Sequence, residues 1–125
     1  MSLAYSPAQL AYLGDSVYET AIRKALVLEK ERTLKDYNKL SMSFVCAPAQ
    51  AKASKLLESL LTEEETDVMR RGRNAKCGNV PKNASCDDYR RATGLEALMG
   101  WLWLTGKKQR VDELVEIILK NTEEI

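Results

Sequence analysis

Residues 95–104, which read Leu-Glu-Ala-Leu-Met-Gly-Trp-Leu-Trp-Leu, constrain the fold of this chain more than any other segment. A helix built from them is apolar on every side apart from one charge, Glu96, and such a helix is buried on most sides. No segment of the chain shows the alternation of apolar and polar residues that is typical of a half-buried strand. We therefore predict an all-α fold, a bundle of about six helices.

Polar residues and prolines mark where the helices begin. The first helix opens with a capping box formed by Ser6 and Gln9, and Pro7 suits its first turn. The third helix is predicted over residues 49–61, after a break or a restart at Pro48. The caps predicted for the second, fourth and fifth helices are Thr33, Thr62 and either Ser85 or Asp87.

Glu96 is an acid in an apolar helix and therefore needs a partner. Burial of an ionised carboxylate without one costs several kcal/mol. Glu96 is thus expected to be protonated, paired with a cation or bound to a metal ion. The structural alternative to a metal site is an ion pair with Arg90 or Arg91, across the turn that precedes it.

Asp15 is a second acid, at the edge of an apolar helix face. The periodicity of the first helix places Ala11, Ile22 and Leu26 beside it, so we expect its carboxylate to be partly desolvated. The alternative is that Asp15 reaches solvent or pairs with a nearby arginine. Two such acids on two helices supply the hard oxygen ligands that a divalent cation requires. We therefore predict that Asp15 and Glu96 bind Mg²⁺, with Mn²⁺ as a substitute.

Residues 10–19 resemble the signature helix of the ribonuclease III family, which usually reads Glu-Arg-Leu-Glu-Phe-Leu-Gly-Asp-Ala-Val-Leu. The identical positions are Leu10, Leu13, Gly14, Asp15 and Val17. A second family segment, Asp-x-x-Glu-Ala-Leu-x-Gly, is matched from Glu96 to Gly100. Two motifs in the family's order make this resemblance specific, and it covers nearly the whole chain.

Three acids of the family's pattern are replaced here, by Ala8, Ala11 and Thr93. Together with the basic residues 71–76, this reduced acidic set resembles the mini-ribonuclease III branch, whose members consist of the catalytic domain alone. We accordingly expect residues 1–125 to form a single ribonuclease III-like catalytic domain. The reduced set leaves open whether one metal ion or two operate.

The resemblance implies a function for the acid pair. It implies an endoribonuclease with Asp15 and Glu96 as catalytic and metal-binding residues, which cuts double-stranded RNA as a homodimer and leaves 5′-phosphate ends. For the mini branch it further implies maturation of precursor 23S ribosomal RNA, with a ribosomal protein as a candidate partner. Glu19, one turn beyond Asp15, is a weaker candidate to support the metal site, because an ion pair with Arg23 explains it more simply.

Basic residues are concentrated in one part of the chain. The net charge is +1, but residues 70–91 carry seven basic and two acidic side chains, while the remainder carries 12 basic and 16 acidic ones. A helix end explains one or two of these basic residues, but they continue into a predicted basic loop at residues 74–85. We therefore predict contacts with RNA phosphates, with a solvated face as the alternative. The residues concerned are Arg70, Arg71, Arg73, Asn74, Lys76 and Lys82.

The residue types that the sequence lacks narrow its chemistry. There is no histidine, which removes the commonest general base and every Ser-His or Cys-His arrangement. The three cysteines form no C-x-x-C pair, so no zinc site is expected. No signal peptide or bilayer-length apolar run is apparent, and we expect a cytoplasmic protein without a membrane partner. The alternative to a nuclease is a non-catalytic RNA-binding or ribosome-assembly module with the same fold.

Overall fold

The computed structural model describes residues 5–75 and 85–122 of the chain. These residues form six α-helices and one short 3₁₀ helix, and they contain no strand. The helices are α1 (Pro7–Glu29), α2 (Leu34–Val45), α3 (Ala47–Leu57), the 3₁₀ helix (Glu58–Leu60), α4 (Glu63–Arg73), α5 (Cys86–Leu104) and α6 (Lys108–Thr122). The predicted all-α bundle of about six helices is confirmed. Within the described ranges, no helix combines the length and the apolar character needed to cross a bilayer.

The helix starts follow the predicted caps. The Ser6 hydroxyl accepts a hydrogen bond from the Gln9 N–H at 3.1 Å, and the Gln9 side chain accepts one from the Ser6 N–H at 2.9 Å. Thr62 and Glu65 form the same reciprocal box at the start of α4. Ser85, the first of the two alternatives, caps α5. Each cap satisfies N–H groups that have no partner inside the helix.

The third helix lies elsewhere than predicted. It begins at Ala47 instead of residue 49 and ends at Leu57, after which the chain continues as the 3₁₀ helix. Pro48 lies in its first turn, where the missing N–H is not needed and the fixed φ suits a helix. Of the two alternatives given for Pro48, the restart of a helix is the correct one, although the helix begins at Ala47.

α5 is the central helix of the bundle, and α1, α3, α4 and α6 all pack against it. Leu95 and residues 97–102 are buried, and Glu96 is half-buried. Trp103 and Leu104 are exposed at the C-terminal end of the helix. The predicted burial therefore holds for all but the last two residues of the apolar segment.

Two glycines bring α1 and α5 into backbone contact. A Cβ atom on Gly14 of α1 would lie 1.6 Å from the backbone oxygen of Glu96. A Cβ atom on Gly100 of α5 would lie 2.0 Å from the backbone oxygen of Leu10. A side chain at either position would force the helices apart. Because Asp15 follows Gly14, this crossing brings Asp15 next to the turn of α5 that carries Glu96.

Candidate active site

The crossing of α1 and α5 brings together the two acids predicted from the sequence. The carboxyl group of Asp15 lies within hydrogen-bonding distance of the carboxyl group of Glu96. Glu96 is half-buried and Asp15 is exposed, so the pair is open to solvent on the α1 side. Residues far apart in the sequence thus form one site, which we call the acid pair.

Of the two alternatives given for Asp15, the structure supports the one in which its carboxylate reaches solvent, and the expected partial desolvation is wrong. Ala11 and Ile22 are buried as expected, but Asp15 is exposed, and so are Tyr12 and Ser16 beside it. Periodicity gives the angle of a residue around the helix axis, but not how far along the helix the neighbouring elements extend. In the turn that carries Asp15, those neighbours leave access for solvent.

Burial is the largest of the effects that raise the pKa of Glu96 to about 8. The negative charge of Asp15 and a hydrogen bond to its carboxylate raise this pKa further, whereas a hydrogen bond with Gln50 opposes the rise. Without a cation, Glu96 is therefore mostly protonated at neutral pH, and its carboxyl group donates a hydrogen bond to Asp15. A cation that displaced this proton would balance the negative charges that both carboxylates then carry.

The alternative of an ion pair between Glu96 and the preceding arginines is wrong. Arg91 instead contacts Glu58 at 2.9 Å and Asp87 at 3.1 Å. Five residues correspond to about 140° around a helix, so Arg91 and Glu96 lie on different faces of α5. Across residues 5–75 and 85–122, no ion pair involves Glu96 or Arg90.

The acid pair fits a divalent cation. Asp15, like Glu96, forms no ion pair within the described part of the chain. Both side chains offer hard oxygen ligands, and the open side leaves room for the waters that Mg²⁺ keeps in its shell. No cluster of three or more His, Cys, Asp or Glu side chains in the described residues could hold an ion. A metal site here would therefore rest on these two carboxylates and water.

Gln50 also contacts Glu96, and sequence reasoning missed it. Its side chain is 2% exposed, and its Nε2 donates a hydrogen bond to the Val45 carbonyl at 3.1 Å. The sequence did contain a signal for Gln50: its spacing from Ala53 and Leu57 places all three on the buried face of one helix. A polar side chain on such a face needs a partner.

Glu19 forms an ion pair with Arg23 at 2.5 Å, one turn further along α1. This is the simpler of the two explanations given for Glu19, and both side chains remain partly exposed. A supporting role for Glu19 at the acid pair stays a prediction.

The basic residues predicted to contact RNA begin at the end of α4. Arg70 and Arg71 both pair with Asp67, at 2.6 and 3.1 Å, and their side chains remain mostly exposed. Arg73 lies 3.6 Å from Glu58. The acidic partners neutralise part of the positive charge of these arginines. Exposed ion pairs of this kind are weak, so a phosphate can replace the acidic partner.

The end of α4 lies close to the acid pair along α5. A Cβ atom on Gly72 would lie 2.8 Å from the Cβ of Ala97, the residue that follows Glu96. Asn74 is the exposed C-cap of α4. Lys76, Lys82 and most of the predicted basic loop lie outside the described residues.

Comparisons with known proteins agree with this architecture. Residues 8–107 match the model of the ribonuclease III domain. The mini-ribonuclease 3 of Thermoanaerobacter sp. (strain X514) is 41% identical over 122 residues, which cover 98% of this chain and 86% of that protein. The mini-ribonuclease 3 of Enterococcus faecalis is 42% identical over 117 residues, or 92% and 89% of the two chains. A crystal structure of a Fusobacterium nucleatum protein superposes with a TM-score of 0.84 at 30% identity and covers 95% of each chain.

Proposed function

This chain belongs to the ribonuclease III family, in its mini-ribonuclease III branch, and we propose that it cuts double-stranded RNA with a divalent metal ion held at the acid pair. Membership of the family makes it an endoribonuclease of the ribonuclease III type. One observation carries the finer proposal. Two carboxyl groups from different helices contact each other, and neither has a cationic partner among the described residues.

We propose Mg²⁺ as the cofactor, with Mn²⁺ as a substitute, and Asp15 and Glu96 as the residues that hold it. When bound, such an ion supplies a water of lowered pKa and balances the charge that develops on the phosphate. Glu96 must first release its proton, because only the ionised carboxylate is a good ligand. The chain has no histidine, so the groups at the acid pair that can transfer protons are the two carboxylates and water.

The basic residues at and beyond the end of α4 are proposed to hold the RNA backbone. A-form RNA presents mainly phosphates and 2′-hydroxyls to a protein, so these side chains would position the duplex without reading its bases. The end of α4 packs against α5 at Ala97, the residue that follows Glu96, so a phosphate held by these side chains would lie near the acid pair. The proposed set is Arg70, Arg71, Arg73, Asn74, Lys76 and Lys82.

The branch also suggests the substrate and the assembly. We propose precursor 23S ribosomal RNA in the cytoplasm as the substrate, 5′-phosphate ends as the products, and a ribosomal protein as an assisting partner. Cutting both strands requires two sites, which a homodimer supplies. Tyr12, one turn from Asp15, is 87% exposed, and burial of such an aromatic side chain favours association of two copies.

Cutting of a long RNA duplex, with and without Mg²⁺, tests this function. We expect cutting only with the metal, and its loss in Asp15→Asn, which keeps the shape of the side chain and removes its charge. Asp112→Asn is the matched control, because Asp112 is an acid that pairs with Lys24 at the protein surface. Persistent cutting by Asp15→Asn would mean that the acid is wrongly assigned. Duplex binding without cutting at any metal concentration would favour the non-catalytic RNA-binding or ribosome-assembly module.

A further inference from the structure

Gln50 connects the acid pair to the junction between α2 and α3. Its Nε2 donates to the carbonyl of Val45, the last residue of α2, at 3.1 Å. A carbonyl oxygen can only accept, so the amide nitrogen must face Val45 and the orientation of the amide is determined. The same NH₂ group carries a second hydrogen, and Gln50 contacts the carboxyl group of Glu96.

Gln50 is the more firmly held of the two groups that contact Glu96. Its side chain is almost inaccessible to solvent, and its backbone N–H donates to the Cys46 carbonyl at 2.9 Å in the first turn of α3. Asp15, the other group, is exposed and has solvent on one side. The direction of the Glu96 carboxyl group is therefore set mainly from the buried side.

We propose that Gln50 is a positioning residue, which holds the Glu96 carboxyl group in the orientation that lets it share one divalent ion with Asp15. This role rests on the proposed function, since it requires a metal ion at the acid pair. Replacing groups that orient metal ligands typically weakens metal binding by about 10- to 100-fold. A site with only two protein ligands is especially sensitive, because each ligand supplies a large share of the binding.

Direct binding of Mn²⁺ to the whole chain, without RNA, tests this role by calorimetry. Gln50→Met keeps the length of the side chain and removes both hydrogen bonds, and Gln50→Leu is the second variant if the first does not fold. Ser54→Ala is the control, because Ser54 is buried one turn further along the same face of α3 and donates to the Met69 sulfur at 3.5 Å. We expect Mn²⁺ affinity to fall about tenfold or more in Gln50→Met and to stay unchanged in Ser54→Ala. Duplex binding in EDTA should be the same in the unaltered chain, Gln50→Met and Ser54→Ala, because Gln50 does not reach the surface.

The outcomes separate this role from the proposed function. Unchanged Mn²⁺ affinity in folded Gln50→Met, with binding lost in Asp15→Asn, would overturn the role of Gln50 and leave the function standing. An equal loss in Ser54→Ala would also overturn it, since a general loosening of α3 would then be the cause. If the unaltered chain bound no Mn²⁺, the metal site itself would be wrong and the role of Gln50 with it.

Discussion

Two inward-facing glutamates in this protein have opposite electrostatic surroundings. Glu65 on α4 is 4% exposed, and Arg110 of α6 donates two hydrogen bonds to it, at 2.8 and 2.9 Å. Burial alone would raise the pKa of Glu65, but hydrogen bonds from Arg110 and Thr62 and the charge of Arg110 lower it overall. Glu96 meets a second acid instead, and its pKa rises to about 8.

The comparison shows that burial of a carboxylate does not by itself indicate a functional site. Glu65 is more buried than Glu96, but Arg110 balances its charge. The resulting ion pair joins α4 to α6 and has a structural role. Arg110 extends the same connection to the Leu60 carbonyl at 3.1 Å. Glu96 differs because no side chain in the described residues balances it. An unbalanced acid pair weakens the folded state, and such pairs are typical of sites that bind a cation or transfer protons.

The largest expected difference between the two glutamates is in catalysis. Glu96→Gln removes a proposed metal ligand and should slow cutting of duplex RNA at least about 1000-fold. Glu65→Gln should retain cutting at temperatures where it is folded, because Glu65 takes no part in the acid pair. Initial rates with Mg²⁺, divided by the folded fraction, provide the measurement. Equal losses in the two variants would remove the distinction drawn between them.

The next difference is in stability, where Glu65→Gln should have the larger effect of the two variants. Glu65→Gln removes the charge that Arg110 pairs with and leaves Arg110 one acidic partner among the described residues, the exposed Glu113 at 3.4 Å, so the loss should approach the lower end of the about 3–5 kcal/mol typical of a broken buried pair. Glu96→Gln should leave the free energy of unfolding at pH 8 unchanged or raise it, because it removes an unfavourable ionisation. Urea unfolding of both variants measures this. A greater loss of stability in Glu96→Gln would show that Glu96 has a stabilising partner.

The pH dependence of stability should distinguish the same two acids. The pKa of Glu96 is raised from 4.5 to about 8, so its ionisation costs the folded state, and stability should fall as the pH rises from about 4.5 to 8. Glu65 has a lowered pKa, so its contribution is present above its unfolded value and is lost as the pH falls through the folded value. Urea unfolding of metal-free protein between pH 3 and 9 measures both, and Glu96→Gln should abolish only the loss at higher pH. A loss that survived in Glu96→Gln would belong to another group.

A smaller effect is expected where α1 and α5 cross. Gly14→Ala places a methyl group against the Glu96 backbone, and such overpacking costs about 1–3 kcal/mol. Separating the helices also separates Asp15 from Glu96, so Mn²⁺ binding should weaken together with stability. Ser16→Ala, at an exposed position on the same helix, is the control. A Gly14→Ala protein with normal Mn²⁺ affinity would mean that the crossing does not determine the site.

The smallest effect concerns RNA binding. Arg73→Ala and Lys76→Ala should each weaken duplex binding and reduce the slope of log affinity against log salt by about one unit, as expected for one lost phosphate contact. Arg23→Ala, which removes an exposed arginine paired with Glu19, is the control. Salt titration of binding in EDTA separates this effect from metal binding. Unchanged slopes would assign both residues to the solvated face.

The helices were predictable because their signals are local. The Ser6 cap and the composition of residues 95–104 act through residues within one or two turns, so the start of α1 and the burial of α5 follow without knowledge of the whole fold. The start of α3 was misplaced because Pro48 suits either a break or a first turn, and local sequence does not choose between them.

The site was predictable only in part, because its geometry depends on packing. The meeting of Asp15 and Glu96 requires Gly14 and Gly100 to face each other, which periodicity alone does not show. The pairing was inferred from two acids in apolar surroundings, and the resemblance to a family supported it. The contact of Gln50 with Glu96 could not be found because its partner lies on another helix. The choice between a desolvated and an exposed Asp15 stayed open because it depends on where the neighbouring elements end.

Crystals of the protein grown with Mn²⁺ provide the most direct test of the metal site. Anomalous scattering should place an ion within about 2.5 Å of one oxygen of Asp15 and one oxygen of Glu96, with water at the remaining positions. The absence of an ion there at saturating Mn²⁺, or a basic side chain bound to both carboxylates in its place, would contradict the account.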